Sequence, residues 1–188
     1  MVNWYRSILI FTLLLIQAPR LWAQSSQLRA YTLTDGLPQS QVYDVVQDEL
    51  GYLWMGTQGG GICRFDGMQF KTWTDQDGLS SNYINALAVA SDTLYIGSVQ
   101  GVTVKNRSGF RHYPCQSVNV ILPIGNKVLV GTTLGLSILD QDQNKLTELS
   151  LGNNIDLQRI NDVQYDGKHF WLATSRGLWR LSSLEDNR

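Results

Sequence analysis

The sequence predicts an all-β chain, a partial β-propeller of about four four-stranded antiparallel blades after an N-terminal signal peptide. Three observations predict it. A short motif recurs four times: an apolar run, a Gly or Ala, a hydroxyl, and a turn that ends in Gly. Its copies begin at Leu53, Leu94, Val128 and Phe170. The Gly or Ala falls at Gly56, Gly97, Gly131 and Ala173, so the spacings are 41, 34 and 42 residues. Periods of that length built from short strands are the mark of propeller blades. Composition agrees: charged residues are 16% of the chain, and 17 Gly, 6 Trp and 8 Tyr favour strands and turns over a helical bundle.

Each repeat reads as strands in a fixed order. In the first, Gln41 to Gln47 alternates, with Val42, Asp44 and Val46 on one face and Tyr43 and Val45 on the other. Asp48-Glu49-Leu50-Gly51 turns the chain into a dense strand from Tyr52 to Thr57. Gly59-Gly60-Gly61 permits a reversal, Ile62 to Asp66 returns, Asp66-Gly67 makes a hairpin and Gln69 to Thr74 is the outer strand. The second repeat runs through Ile84–Val89, Leu94–Gly97, Val102–Asn106 and Phe110–Tyr113. The third runs through Val118–Leu122, Val128–Gly131, Ser137–Asp140 and Leu146–Leu149. The fourth has Ile160–Tyr165, Phe170–Ala173 and Leu178–Leu181, without an outer strand. The blades thus fall at about 37–77, 78–116, 117–152 and 153–188. The joints echo as well, Thr34-Asp35-Gly36-Leu37-Pro38 before the first and Asp75-Gln76-Asp77-Gly78-Leu79 before the second. Leu28 to Leu33 is expected to be an outer strand of a preceding or closing blade. Four repeats that look like those of larger rings predict the first part of a longer protein.

The first 23 residues have the layout of a cleaved secretory signal: Arg6 in the first region, apolar Ile8 to Ile16, then a more polar stretch closing at Ala23. Export brings Cys63 and Cys115 into an oxidising compartment. They stand at different points of different repeats and are expected to remain unpaired. A net charge of -1 offers no electrostatic footprint for nucleic acid.

The first repeat resembles the two-component regulator propeller family. It carries Gly36-Leu37, the alternating Val42 to Val46, Asp48-Glu49-Leu50-Gly51-Tyr52-Leu53-Trp54, Gly56-Thr57, Gly60-Gly61 and Arg64-Phe65-Asp66-Gly67. The second repeat keeps Gly78-Leu79 and Gly97-Ser98, and the fourth keeps Trp171 and Thr174. The resemblance implies the N-terminal portion of the periplasmic input region of sensor histidine kinases. Its implied partners are an oligosaccharide or other small ligand, and signalling domains outside this sequence or another propeller chain. No kinase motif accompanies the repeats, so no catalysis is expected of this chain.

Candidate chemistry is sparse. Asp140-Gln141-Asp142-Gln143-Asn144 has carboxylates at calcium-loop spacing, but Lys145 and Leu151 occupy positions that such a loop gives to Gly and Glu, so a hairpin turn is expected. His112 and His169 share no motif with a second ligand or a nucleophile. No cofactor, metal site or catalytic residue is therefore assigned. Trp54, Gly56, Gly97, Gly131, Trp171 and Gly177 are read as structural repeat positions. Trp73 lies on the outer strand, alternating with Phe70 and Thr72, where it can pack blade against blade. Exposed aromatics near the joints, such as Tyr83, suit ligand stacking; Tyr83 and Trp73 are the ligand-binding candidates. The alternatives are an interaction scaffold with open sheet edges, or a glycosidase or lyase on a propeller.

Overall fold

The structure, a computed structural model, describes residues 28–150 and 159–184. The signal peptide expected over 1–23, and parts of the third and fourth blades (151–158 and 185–188), lie outside the described residues. The chain divides into two units, Met1–Ala30 and Tyr31–Arg188. Of the first, only Leu28 to Ala30 is described, and it forms no strand.

The second unit is a row of four antiparallel sheets. The first comprises β1 (Val42–Gln47), β2 (Leu53–Thr57), β3 (Ile62–Phe65) and β4 (Phe70–Trp73). The second comprises β5 (Ile84–Ala90), β6 (Thr93–Ser98), β7 (Gly101–Asn106) and β8 (Gly109–Pro114). The third comprises β9 (Val118–Ile124), β10 (Lys127–Thr132), β11 (Gly135–Asp140) and β12 (Lys145–Leu149). The fourth comprises three described strands, β13 (Ile160–Tyr165), β14 (Phe170–Thr174) and β15 (Gly177–Leu181). Within every sheet the strands pair in chain order, the up-and-down order of a propeller blade.

Leu28 to Leu33, expected as an outer strand, joins no sheet. Thr32 instead opens a 3-10 turn over Leu33–Asp35, and Tyr31 sets its ring against Phe65 and Phe70, with centroids 4.9 and 5.8 Å away. Asp75–Asp77 forms the same turn before the second blade. In both, the Asp carboxylate accepts from the backbone N–H of the capping Thr at 2.8 Å, and a Gly with positive φ closes the turn (Gly36 at 99°, Gly78 at 108°). Leu37 and Leu79 follow and are buried, which fixes the chain's entry into each blade.

The hydroxyl of the repeated motif is a turn clamp. Thr57, Ser98, Thr132 and Thr174 are buried, and each donates to a Gly carbonyl across the next reversal at 2.8 to 3.1 Å. The Gly before it is a contact surface. A Cβ built on Gly56 falls 2.6 Å from Ile84 Cγ2, one on Gly97 falls 2.6 Å from Val118 Cγ1, and one on Gly131 falls 2.7 Å from Ile160 Cγ2. In each case the first residue of the next blade's inner strand presses onto the bare Cα. The core lies between neighbouring blades, in three clusters that hold Ile84 and Leu87, then Tyr95 and Val118, then Leu129 and Ile160.

The inner strands are also stitched by side chains. Each carries a one-residue bulge, at Tyr43, Asn85, Asn119 and Asn161, between the paired residues that flank it. The bulge aims Asn85 Nδ2 at the Val118 carbonyl (2.9 Å) and Asn119 Nδ2 at the Ile160 carbonyl (2.8 Å). Between the first two blades, Asp44 Oδ2 accepts from the Leu87 N–H at 2.6 Å.

Candidate functional site

Strand register places Trp54, Arg64 and Lys71 side by side across β2, β3 and β4, with Trp73 two residues along. This face of the first blade meets β6, β7 and β8, where Leu94, Lys105 and Phe110 form the matching row. The deep part of the seam is apolar. Its outer part is a cleft of about 290 Å³, lined by the β1–β2 turn, Tyr52, Trp54, Arg64, Ser91, Asp92 and Lys105.

Cations stand on aromatic faces in this cleft. Arg64 lies 4.1 Å from the Tyr52 ring centroid and 5.8 Å from that of Trp54. The Lys105 ammonium lies 5.3 Å from Trp54, 5.5 Å from Trp73 and 5.8 Å from Phe110, and Lys71 lies 5.2 Å from Trp73. The indole of Trp54, stacked on Trp73 at 5.1 Å, is locked by a bond from its Nε1 to Asp48 Oδ2 at 2.8 Å. Among the described residues, no carboxylate forms an ion pair with Arg64, Lys71 or Lys105. Burial, and then the charges of Arg64 and Lys71, hold Lys105 below the usual lysine pKa.

Of the two aromatics expected to receive ligand, Trp73 borders this cluster but is half-buried against Trp54. Tyr83 is 51% exposed and lies elsewhere, at the blade joint, where it pairs with Gln58 and its ring stands against Gly59. The structure brings no ring contact between the two. Trp54 and Trp171 share a role at their common position: Trp171 Nε1 donates to Asp166 at 2.7 Å, as Trp54 does to Asp48. Asp166 is held down to about 2 by that bond and then by the N–H groups of His169 and Lys168. The loop at Asp140 is a turn whose carboxylate accepts from the N–H groups of Asp142 and Gln143. Both cysteines are free thiols.

Sequence reasoning missed Arg64 and Lys105 as site residues, and it missed the bulge asparagines. Ile84-Asn85, Val118-Asn119 and Ile160-Asn161, spaced like the main motif, were the available signal.

Comparison with known proteins places these blades. The profile of the two-component regulator propeller family matches residues 36–59, which span the first joint, β1 and β2. A 69-residue stretch is 42% identical to Histidine kinase P4 of Formosa agariphila, covering 36% of this chain and 5% of that protein. Among solved structures, the extracellular domain of the putative one-component system BT4673 from B. thetaiotaomicron superposes with a TM-score of 0.72 at 21% identity, over 84% of this chain and 23% of that one. The computationally designed Ika4 protein gives 0.59 at 14% identity, over 77% of this chain and 92% of that one. An ancestral GH74 enzyme gives 0.61 at 15% identity, over 78% and 23%. At these identities the structural likenesses concern the propeller fold alone. The chain spans about a twentieth of the curated relative and under a quarter of the BT4673 domain.

Proposed function

We propose that this chain, whose residues 36–59 match the two-component regulator propeller family and whose sheets are propeller blades, is a non-catalytic, extracytoplasmic ligand-sensing module of a two-component signalling system. The observation that carries the reading is the cleft between the first two blades, where a seam that is apolar in depth opens into stacked aromatics and uncompensated cations. Such a cleft joins two sheets, so a ligand seated in it favours one blade-to-blade geometry over another. That difference is what a downstream signalling domain reads. Oligosaccharides are the ligand class the family resemblance suggests, and the aromatic wall of Tyr52 and Trp54 suits a sugar ring.

The test uses the purified full chain and a panel of oligosaccharides, with thermal unfolding as the binding readout and chromatography as the chemical one. A member of the panel is expected to raise the melting temperature and to be recovered intact. Shortened sugar products refute the non-catalytic reading, and a panel without any shift refutes sensing of this class.

A scaffold role has one observation in its favour. On β13, Asn161 and Asp162 occupy the positions of the residues that stitch the earlier blades together, and both are exposed. An added sheet that offers a carbonyl and an N–H there would be gripped in the same way.

A further inference from the structure

We propose that the cleft between the first two blades is an oxyanion subsite, in which Arg64 and Lys105 take the carboxylate or sulfate ester of a cyclic ligand lying on the wall of Tyr52 and Trp54. The inference rests on the reading of the chain as a ligand-sensing module and names the chemistry of its ligand.

Lys105 carries it. In the strand register, Lys105 pairs with Leu94. The corresponding pairs are Leu53 with Phe65, Val128 with Leu139 and Phe170 with Leu181. Lys105 therefore stands where the other three blades place an apolar side chain, and Phe65 and Leu139 are buried. Arg64 stands where the next two blades hold Val104 and Ile138, whereas the fourth blade repeats it as Arg180 over Trp171. What sets the first seam apart is that Lys105 faces this arginine across it. Half-buried like charges repel, and rings compensate them only in part.

The chain's own acids do not supply the missing partner. Asp48 spends one oxygen on the N–H groups of Leu50 and Tyr52 and the other on Trp54. Asp92 pairs with Arg107 at 2.6 Å, and Glu49 is exposed at the rim. Arg64 Nε is buried without an acceptor. An oxyanion entering the cleft accepts from that Nε–H or its neighbours and from the Lys105 ammonium, in charge-assisted bonds. The volume, about 290 Å³, lies at the small end of ligand pockets, the size for one ring and its acid group.

The full chain is titrated with sodium glucuronate, sodium sulfate and glucose, and followed by tryptophan emission and calorimetry. Both anions are expected to bind, with glucose at least about tenfold weaker than glucuronate. Glucuronate tighter than sulfate assigns a sugar acid; sulfate tighter assigns a sulfate ester. Lys105→Leu, which restores the residue type of the other blades, is expected to fold and to weaken glucuronate about tenfold. Arg64→Gln repeats the test from the opposite wall. Glucose bound as tightly as glucuronate, silence toward both anions, or unchanged glucuronate affinity in Lys105→Leu overturns the proposal. In the first and last of these cases oligosaccharide sensing still stands, because neutral oligosaccharide binding is measured separately.

Discussion

Gly56→Ala tests how the blades touch. The added Cβ falls 2.6 Å from Ile84 Cγ2 and 3.2 Å from its Cβ, against an optimum of about 3.5–4.0 Å between carbons. Ile84 is fully buried and branched at Cβ, so it has no free rotamer into which to retreat. The sheets must separate by nearly 1 Å or the side chain must leave its well, a strain of about 1–3 kcal/mol. Removing a strand Gly returns about 0.5–1 kcal/mol of backbone entropy. The expected net loss is therefore about 0.5–2 kcal/mol, or a few degrees of melting temperature for a chain of this length. The assay is urea unfolding of four proteins: the parent, Gly56→Ala, Ile84→Ala and the double variant. Ile84→Ala removes Cγ2 and leaves only the 3.2 Å approach to Cβ, so Gly56→Ala is expected to cost much less in that background, with a coupling of about 1–2 kcal/mol. A Gly56→Ala cost that is the same in both backgrounds, within about 0.5 kcal/mol, would refute the contact as the reason for the glycine.

Further expectations follow from other contacts. Asn119→Ala leaves the Ile160 carbonyl without its donor and is expected to cost about 1–2 kcal/mol in the same urea assay; an unchanged midpoint would dismiss the stitch between the third and fourth blades. Asp166 is held down to about 2, below the unfolded value of about 3.9, so its contribution to stability is full above about pH 4 and is lost as pH falls toward 2. In Asp166→Asn, that part of the acid destabilisation is expected to vanish; an identical acid limb in melting temperature against pH would contradict the bond to Trp171. Burial pushes the Cys63 thiol up to about 12 and the Cys115 thiol up to about 11. Iodoacetamide at pH 8 is therefore expected to leave both unmodified until urea is added, and rapid native labelling of Cys63 would show that its blade opens.

The propeller was legible because its grammar is local. A Gly followed by a hydroxyl, at 56, 97, 131 and, with Ala, at 173, set the phase of every second strand. The joints, with Asp and Gly at fixed positions, set the entry to the first two blades. Leu28 to Leu33 reads as an outer strand from its place before the first joint, whereas Leu33 belongs to the 3-10 turn of that joint. The bulge asparagines were hidden for another reason. In an alternating strand a polar residue reads as solvent-facing, and only the extra residue in the ladder turns Asn85 and Asn119 sideways toward the next blade. Lys105 was hidden by a turn. The reversal after β2 is one residue longer than those after β6, β10 and β14, so a fixed spacing from the motif does not align Lys105 with Phe65. Trp73 reads as an outer-strand residue able to pack blade against blade, yet its position beside Lys71 and Lys105 needed the register of β3 with β4.

Ala173 makes the fourth blade choosy about its company. The three earlier seats accept a branched Ile or Val because nothing projects from the bare Cα beneath it. Ala173 fills that recess with a methyl group. Asn161 and Asp162 still offer their grip, so a newcomer is held if it brings a Gly, Ala or Ser to the seat and rejected if it brings a branched residue. Val42, which opens the inner strand of the first blade, is of the branched type that the Ala173 seat disfavours.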